Sequence, residues 1–498
     1  MRSITKILIA NRGEIAVRII RAAREMEIAT VAVFSEADRG AMHVRMADEA
    51  YCIGPALSSA SYLNIEKILE TCLRAGAEAI HPGYGFLSEN AEFARRTKEC
   101  NIIFIGPDSN AMQLMGSKLG AKKIARELGV PLVPGTENAV SDFSEALKKG
   151  HQIGFPLLIK ASAGGGGKGM RLVENSELLE EQLKLAISEA SSAFGDGSVF
   201  LEKYISSPRH IEIQILADSF GKVLYLFERE CSIQRRHQKL IEEAPSVVLN
   251  NESRQKMGEC AILLASSCSY TGAGTIEFIL DEFNNFYFLE MNTRLQVEHP
   301  VTELITGIDI VKEQIKIARG EELSFEQKDI QIRGHAIELR ICAENPEADF
   351  MPDTGILNTY RLPSGPGVRV DNCMEEGMEV PIYYDPLIAK LIVHGSNRME
   401  AIERMKRAIS EYYVSGIFTT LDFGMFVMKH EAFISGQFDT QFITKHYHSN
   451  LNKGTAEQAK IAALLAASLY LRPLEKDASA LIESGDKTSV WKTNRRLK

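Results

Sequence analysis

The sequence predicts a multidomain protein of the α/β and α+β classes that begins with a doubly wound parallel sheet. Its 498 residues exceed what one hydrophobic core normally organises, so about three domains are expected. Strand-like and helix-like patterns alternate through the first third of the chain, which is typical of parallel sheets covered by helices. Later strand-like runs include two predicted hairpins, one around a glycine-rich loop and one with a polar turn at 281–285.

The composition excludes several classes of function. The chain is 45% hydrophobic and 25% charged, and its formal net charge of -9 argues against nucleic acid as the main partner. Its eight cysteines include no CxxC pair, so neither a zinc site nor a disulfide framework is indicated. No stretch could span a bilayer, and the apolar run near the N-terminus is too short for a signal peptide. We therefore expect a cytoplasmic protein that binds neither nucleic acid nor membrane.

The N-terminal third contains predicted strands at residues 6–10 and 30–34, with a helix over 14–26 between them. The turn after the first strand lacks the glycine fingerprint of dinucleotide sites, which disfavours a nicotinamide function. The segment HPGYGFLSEN (residues 81–90) follows another strand, at the end where α/β sheets hold ligands. Taken alone, it is equally well an ordinary turn rich in glycine and proline.

The segment PLLIKASAGGGGKGMR (residues 156–171) places a glycine-rich loop between two predicted strands. It is not a P-loop, because Ser162 occupies the first glycine position and Gly169 the Ser/Thr position. With Lys160 at its base and Lys168 near its tip, it is typical of a lid that folds over a triphosphate. A plain surface loop is the alternative.

Charged side chains follow on strands that should otherwise be apolar. A strand over 199–205 carries Glu202 and Lys203, which could bind a base or simply pair with each other. A strand over 208–216 places His210 on one face, two residues from the next acid. Cations then crowd into residues 235–239, which indicates an anion site in an acidic chain, although charge runs are more often solvated faces.

Residues 274–292 predict a β-hairpin with a polar turn at 281–285. Because side chains alternate along a strand, we expect Phe286, Phe288, Glu290 and Asn292 to share one face. Glu277 on the partner strand would join them there. Two carboxylates and an amide form an all-oxygen site suited to Mg²⁺ carrying nucleotide phosphates. The run that follows adds anion-binding and proton-handling groups, namely Arg294, Gln296, Glu298 and His299.

Several motifs resemble those of biotin carboxylase, a member of the ATP-grasp superfamily, in the family's order. The motifs are KILIANRGEIAVRIIRAA, HPGYGFLSEN, GGGGKGMR, EKYISSPRHIEIQ, ERECSIQRRHQKLIEEAP, GTIEF and FLEMNTRLQVEHPVTE, and the resemblance as a whole runs from the N-terminus to about His446. The resemblance implies a Rossmann-like N-terminal domain over 1–115 and an ATP-grasp domain over 116–333, with a glycine-rich lid subdomain at about 133–204. A biotin carboxylase C-terminal domain would cover 334–447. Residues 448–498 lie beyond the compact core of the family, and their Ala- and Leu-rich pattern at 456–470 predicts a helix in a mobile tail.

The resemblance also implies the residues that bind ATP and a metal ion, Mg²⁺ or Mn²⁺. The metal would be held by Glu277 and Glu290, with Asn292 close by. Adenine would face Glu202 and the backbone at Lys203 and Ile205. The full set of nucleotide-binding positions is Lys118, Lys160, Gly165, Gly166, Lys168, Glu202, Lys203, Ile205, His210 and His237.

The implied reaction is the carboxylation of biotin by bicarbonate through carboxyphosphate. Glu298 would be the general base, and Arg340 would face the ureido group of biotin near Tyr84. The remaining implied positions form the bicarbonate pocket and are Lys239, Arg294, Gln296 and Val297. Of these, Lys239 and Arg294 are also implied to be catalytic.

The sequence contains no good match to the Met-Lys-Met tip of a biotin carrier domain, the nearest being Val427-Met428-Lys429-His430. We therefore expect a biotin carboxylase subunit that acts on biotin held by a separate carrier protein and works with a separate carboxyltransferase subunit. The resemblance suggests a homodimer. Whether the enzyme serves an acetyl-CoA, another acyl-CoA or a pyruvate carboxylase stays open, and another ATP-grasp ligase acting through an acyl phosphate is the alternative.

Overall fold

The structure is a computed structural model that describes residues 3–140, 142–162, 170–448, 460–461 and 463–467. The chain forms two units, Met1–His448 and Ser449–Lys498. In the second unit, the described residues are helical, as the Ala- and Leu-rich pattern at 456–470 predicts. None of the described helices combines the length and apolarity that crossing a bilayer requires.

The strands of the first unit belong to one parallel sheet and several antiparallel ones. In chain order they are β1 (Lys6–Ile9), β2 (Ala29–Ser35), β3 (Glu49–Gly54), β4 (Ala79–His81), β5 (Ile103–Phe104), β6 (Leu157–Ala161), β7 (Met170–Val173), β8 (Val199–Lys203), β9 (Arg209–Ala217), β10 (Val223–Arg235), β11 (Gln238–Ala244), β12 (Gly272–Leu280), β13 (Phe286–Asn292), β14 (His335–Cys342), β15 (Glu344–Asn345), β16 (Met351–Pro352), β17 (Gly355–Ile356), β18 (Thr359–Arg361), β19 (Val368–Asn372), β20 (Glu379–Val380), β21 (Leu387–Gly395) and β22 (Tyr413–Ser415).

The helices mostly cover these sheets. They are α1 (Gly13–Glu25), α2 (Met42–Met46), α3 (Ile65–Ala75), α4 (Ala91–Glu99), α5 (Ser109–Gly116), α6 (Lys118–Glu127), α7 (Phe143–Ile153), α8 (Leu179–Phe194), α9 (Asn251–Ser267), α10 (His299–Thr306), α11 (Ile310–Arg319), α12 (Arg398–Ser410), α13 (Leu421–Lys429), α14 (Glu431–Ile434) and α15 (Phe442–His446).

The N-terminal sheet confirms the predicted doubly wound fold. Its strand order is β3-β2-β1-β4-β5, and every neighbouring pair is parallel. Alternate residues of β1 enter different cores, because Ile7 and Ile9 pack with α1 while Leu8 packs with α3. Helices therefore cover both faces, and the loops at the carboxyl ends of the strands, including residues 81–90, are left at one edge.

The three-stranded sheet β7-β6-β8 has a core of its own, formed with α7 and α8. The antiparallel pairing of β6 with β7 agrees with the hairpin predicted around the glycine-rich loop. The loop itself, with Gly165, Gly166 and Lys168, lies outside the described residues.

The largest sheet has eight strands in the order β13-β12-β9-β10-β11-β14-β21-β19. Its fifth and sixth strands, β11 and β14, are antiparallel, with Ile241 opposite Leu339. Residues assigned from the sequence to two domains, on either side of position 333, therefore share one continuous sheet. This pairing brings the Lys239 and Arg340 strands side by side.

The prediction that Phe286 and Phe288 share a face of β13 with Glu290 and Asn292 is wrong. Glu277 lies opposite Glu290, but the register shifts at the next pair, where Phe278 lies opposite Phe288. The shift is a β-bulge, and it adds one residue to the alternation. Phe286 and Phe288 therefore pack in the apolar core with Phe278, and Glu290 and Asn292 lie on the other face, with Glu277.

Candidate active site

Glu298 is a buried carboxylate held between two cations. It caps the N-terminus of α10 and is 2% exposed. Its Oε1 accepts a hydrogen bond from Lys239 Nζ at 2.7 Å, and its Oε2 accepts one from Arg340 Nη2 at 2.9 Å. Burial alone would raise the pKa of Glu298, but the two cations more than offset this and hold the pKa well below its ordinary value. Glu298 is therefore ionised and able to accept a proton.

Lys239 on β11 binds three carboxylates at once. Besides Glu298, its Nζ donates to Glu212 Oε2 at 2.5 Å and to Glu277 Oε1 at 3.0 Å. Burial lowers the pKa of Lys239, whereas the three acids raise it well above the ordinary value, and the acids prevail. A permanently charged ammonium group thus lies between the predicted base and the predicted metal ligands.

Arg229 on β10 is a central residue that the sequence interpretation missed. Its side chain is fully buried, and its guanidinium donates hydrogen bonds to side chains on β9, on β12, in the loop before α10 and on α10. The acceptors are Glu212 Oε1 at 2.5 Å, Gln214 Oε1 at 2.7 Å, Gln296 Oε1 at 2.7 Å, Thr302 Oγ1 at 3.0 Å and Thr275 Oγ1 at 3.1 Å. The signal in the sequence is a charge inside an otherwise buried strand, but its partners are far away along the chain.

Glu277 and Glu290 fit the predicted metal site. They are directly opposite each other on β12 and β13, and Asn292 Nδ2 donates to Glu277 Oε1 at 2.9 Å. Gln296 Nε2 donates to the same oxygen at 2.9 Å. Burial raises the pKa of Glu277, but Lys239 and His210 outweigh it and keep the carboxyl ionised. Oxygen donors of this kind suit Mg²⁺.

Two other groups of ligand-type side chains meet nearby: His210 with Glu212 and Glu277, and Cys231 with Glu212 and Glu298. Both groups depend on Glu212. Its two oxygens already accept hydrogen bonds from Arg229 and Lys239, so its charge is compensated by protein cations. Glu277 belongs to the first of these groups and also lies opposite Glu290, so it is common to both candidate arrangements for a metal ion.

The predicted nucleotide side of the site contains a buried ion cluster around Glu202 on β8. Lys160 Nζ donates to Glu202 Oε2 at 2.5 Å, and Lys122, which the sequence interpretation missed, donates to Oε1. The amide N–H of Lys203 donates to the Pro134 carbonyl at 2.7 Å, so a ligand there would have to bind the Lys203 carbonyl. Ile205 is the second residue after the end of this strand.

His210 and His237 approach the same region from β9 and from the β10–β11 turn. His210 Nε2 lies 3.1 Å from Glu277 Oε2. Burial and the nearby Lys160 and His210 lower the pKa of His237, which places these groups in one electrostatic environment. The side chain of Lys118 lies outside the described residues.

The segment 81–90 is brought to the site by Glu89. Arg294 Nε donates to Glu89 Oε2 at 2.9 Å, and Arg294 Nη2 donates to Asn292 Oδ1 at 3.2 Å. The Tyr84 carbonyl accepts a hydrogen bond from Asn11 Nδ2 at 2.7 Å. The ligand role predicted for this segment is therefore compatible with its position, and Glu89 is a contact that the sequence interpretation did not identify.

Arg340 on β14 is oriented by a second acid. Its Nε donates to Glu242 Oε1 at 2.6 Å, while Nη2 reaches Glu298. Burial raises the pKa of Glu242 to about 7, although Arg340 opposes this. Val297 lies beside Glu298, and its carbonyl accepts a hydrogen bond from Lys390 Nζ at 2.7 Å. Glu242 and Lys390 were not predicted as site residues.

Three family models match consecutive parts of the chain. They are the biotin carboxylase N-terminal domain at residues 3–112, the ATP-binding domain of the carbamoyl-phosphate synthase L chain at 117–326, and the biotin carboxylase C-terminal domain at 338–445. Their order along the chain agrees with the order of the sequence motifs.

Similar proteins include carboxylase subunits and a solved carboxylase domain. Biotin carboxylase 1 of Bacillus subtilis is 53% identical over 441 residues, covering 88% of this chain and 98% of that protein. A pyruvate carboxylase subunit of Methanothermobacter thermautotrophicus is 54% identical over 442 residues, covering 89% and 90%. The biotin carboxylase domain dimer of Hydrogenobacter thermophilus 2-oxoglutarate carboxylase, solved with MgADP, ADP and bicarbonate, is 49% identical, with a TM-score of 0.87 and coverage of 90% and 99%. With this identity over nearly the whole of such relatives, the chain belongs to the biotin carboxylase family.

Proposed function

We propose that this protein carboxylates biotin on a separate carrier protein, using ATP and bicarbonate and passing through carboxyphosphate. The observation that carries the proposal is the meeting of Glu298, Lys239 and Arg340 beside the Glu277–Glu290 pair. These residues come from separate strands and one loop. They combine a base, fixed cations and an oxygen-ligand pair, which are the groups that phosphoryl transfer to bicarbonate requires.

The first step needs a bound and deprotonated bicarbonate ion. In the proposal, Lys239, Arg294, Gln296 and the backbone of Val297 bind the anion, and Glu298 takes its proton. A bound anion that accepts hydrogen bonds from Lys239 and Arg340 would weaken the hydrogen bonds of these two cations to Glu298. The pKa of Glu298 would therefore rise towards that of a useful base. The deprotonated oxygen then attacks the γ-phosphorus of ATP, and ADP leaves.

The nucleotide would be held by the ion cluster around Glu202, by Lys160, His210 and His237, and by the glycine-rich loop with Lys118. A metal ion on Glu277 and Glu290 would supply positive charge to the transferring phosphoryl group. Lys239 lies 3.0 Å from Glu277 and needs no movement to add a second charge there. Such preorganised charge costs no reorganisation during the reaction.

The second step transfers carbon dioxide to biotin. Carboxyphosphate breaks down to carbon dioxide and phosphate, the phosphate accepts the ureido proton, and the ureido nitrogen attacks carbon dioxide. Arg340 stabilises the negative oxygen of the ureido group, with Tyr84 near the ring. The guanidinium suits this role because it stays charged and its plane is already fixed by Glu242 and Glu298.

We further propose that this protein works with a carrier protein and a carboxyltransferase. A separate carrier protein and a separate carboxyltransferase are supported by the similarity to a protein that is itself named a pyruvate carboxylase subunit. A homodimer is supported by the dimer of the H. thermophilus domain. We keep the domain limits 1–115, 116–333 and 334–447 as a proposal, with the acyl-CoA or pyruvate acceptor open.

The decisive experiment measures ATP turnover with Mg²⁺ and bicarbonate, with and without free biotin. We expect biotin to stimulate turnover and Glu298→Gln to lower it by about 10²–10⁴-fold, because the variant keeps the shape of the side chain but cannot accept the proton. Glu282→Gln, in the exposed β12–β13 turn, is the matched control. Turnover that ignores both bicarbonate and biotin would instead indicate another ATP-grasp ligase acting through an acyl phosphate.

A further inference from the structure

Lys390 is a buried cation that the proposed reaction does not use. It lies on β21 directly opposite Arg340 on β14, and its side chain is fully buried. Burying an ammonium group is costly unless it is paired and hydrogen-bonded. Its position next to a catalytic arginine therefore calls for a physical explanation.

The contacts of Lys390 converge on the backbone beside the predicted base. Its Nζ donates to the Val297 carbonyl at 2.7 Å. The same nitrogen lies 3.3 Å from Glu14 Oε1 on α1 and 3.8 Å from Asp371 Oδ2 on β19. Lys390 thus joins an N-terminal helix, the C-terminal strands and the segment that carries Glu298.

Two neighbouring strands, β14 and β21, each donate a hydrogen bond to one residue of the Val297–Glu298 pair. Arg340 on β14 binds the Glu298 carboxylate, and Lys390 on β21 binds the carbonyl of Val297. The adjoining turn is also fixed, because His299 Nδ1 lies 2.8 Å from the Gln296 carbonyl. Both the side chain and the backbone of the base are therefore tied to the same sheet.

We propose that Lys390 is a positioning residue, which sets the place of the Glu298 carboxylate by anchoring the Val297 carbonyl. The inference rests on the proposed function, since it concerns the base of that reaction. It needs no direct contact between Lys390 and a substrate. A displacement of about 1 Å in a catalytic group can lower a rate about 100-fold, so the loss of this anchor should be visible in turnover.

The test removes the ammonium group together with the carboxylate of Glu14, which lies 3.3 Å from it. Lys390→Met alone would deprive Glu14 of its cation, so the informative variant is Glu14→Gln/Lys390→Met, compared with Glu14→Gln. Asp371 keeps Arg369, which donates to it at 2.8 and 2.7 Å, and the double variant is therefore expected to fold. Lys256→Met on the exposed surface of α9 is the control for the substitution itself.

The measured quantity is bicarbonate-dependent turnover per ADP-binding site, which corrects for any inactive fraction. We expect the added Lys390→Met change to lower it about 10- to 100-fold. In a Glu298→Gln background the same change should alter turnover less than about twofold, because residues that act as one unit are not additive. A purely structural lysine would give the same loss in both backgrounds.

Each outcome decides the question. An unchanged turnover per ADP site in Glu14→Gln/Lys390→Met, or an equal loss with and without Glu298, would overturn the positioning role while leaving the proposed function intact. Wild-type protein without biotin- and bicarbonate-dependent turnover would instead refute the proposed function, and the inference with it.

Discussion

Arg229 combines full burial with hydrogen bonds to five side chains, so its removal should harm both stability and activity. Arg229→Met would leave Glu212 with only Lys239, and Gln296 without its donor. Breaking a buried ion pair by removing one partner costs about 3–5 kcal/mol. We expect a loss of this size in the free energy of unfolding, measured with denaturant, and a loss of bicarbonate-dependent turnover.

The matched control is Arg361→Met on β18, where the side chain is exposed. Its free energy of unfolding should stay within about 0.5 kcal/mol of wild type. Equal effects of the two substitutions would show that the hydrogen bonds of Arg229 do not stabilise the site.

Glu344 gives a pH dependence whose sign is fixed by its surroundings. Burial raises its pKa from 4.5 to about 7, although Arg235 opposes this. Between these two values the folded state binds more protons than the unfolded state, so stability contributed by this group falls as the pH rises. Glu344→Gln removes the effect, and its stability relative to wild type should grow by about 1–3 kcal/mol from pH 5 to pH 8. Parallel unfolding profiles for the two proteins would contradict this expectation.

Helix α9 packs against β10 so closely that one glycine is required. A Cβ added at Gly258 would lie 2.7 Å from the Tyr225 ring. Gly258→Ala should therefore destabilise the protein by about 1–3 kcal/mol in denaturant unfolding. Gly116 at the end of α5 has no atom within 4 Å of such a Cβ, so Gly116→Ala should be neutral or stabilising by up to about 1 kcal/mol. The reverse order of the two variants would show that α9 can shift away from the sheet.

Elements with a clear local period were predictable from the sequence. The strands predicted at 6–10 and 30–34 and the helix predicted at 14–26 correspond to β1, β2 and α1, and their ends differ by at most one residue. The bulge in β13 was not predictable, because it depends on the register with β12 rather than on the alternation of one strand. Strand β3, with its alternating half-exposed residues, was also missed.

The site residues also divide into those that the sequence indicates and those that depend on tertiary contacts. Glu298, Lys239 and Arg340 were chosen by resemblance, and the structure brings them together. Arg229, Glu89, Lys122, Glu242 and Lys390 were missed as site residues because each acquires its meaning from a partner that only tertiary pairing supplies. A charged residue inside a strand pattern indicates a buried partner, but local sequence does not say which one.

At the scale of the whole molecule, removal of Mg²⁺ should separate activity from stability. The metal-free carboxylate of Glu277 is already compensated by Lys239, Asn292 and Gln296. Chelation with EDTA should therefore abolish turnover and leave the unfolding midpoint of the nucleotide-free protein unchanged. A lowered midpoint after chelation would show that the ion also holds the fold together.

The continuous eight-stranded sheet restricts how this protein can be rearranged. A chain divided at position 333 would separate β11 from β14 and expose two bare strand edges, which invite pairing with foreign strands. A recombination event at this point would have to supply a replacement for β14 that pairs with β11 in the same register. That strand would also need an arginine at the position of Arg340. The β7-β6-β8 sheet has a core of its own, so it is not subject to this restriction and can vary independently of the eight-stranded sheet. Evolution can therefore exchange the β7-β6-β8 sheet more readily than the strand that supplies Arg340.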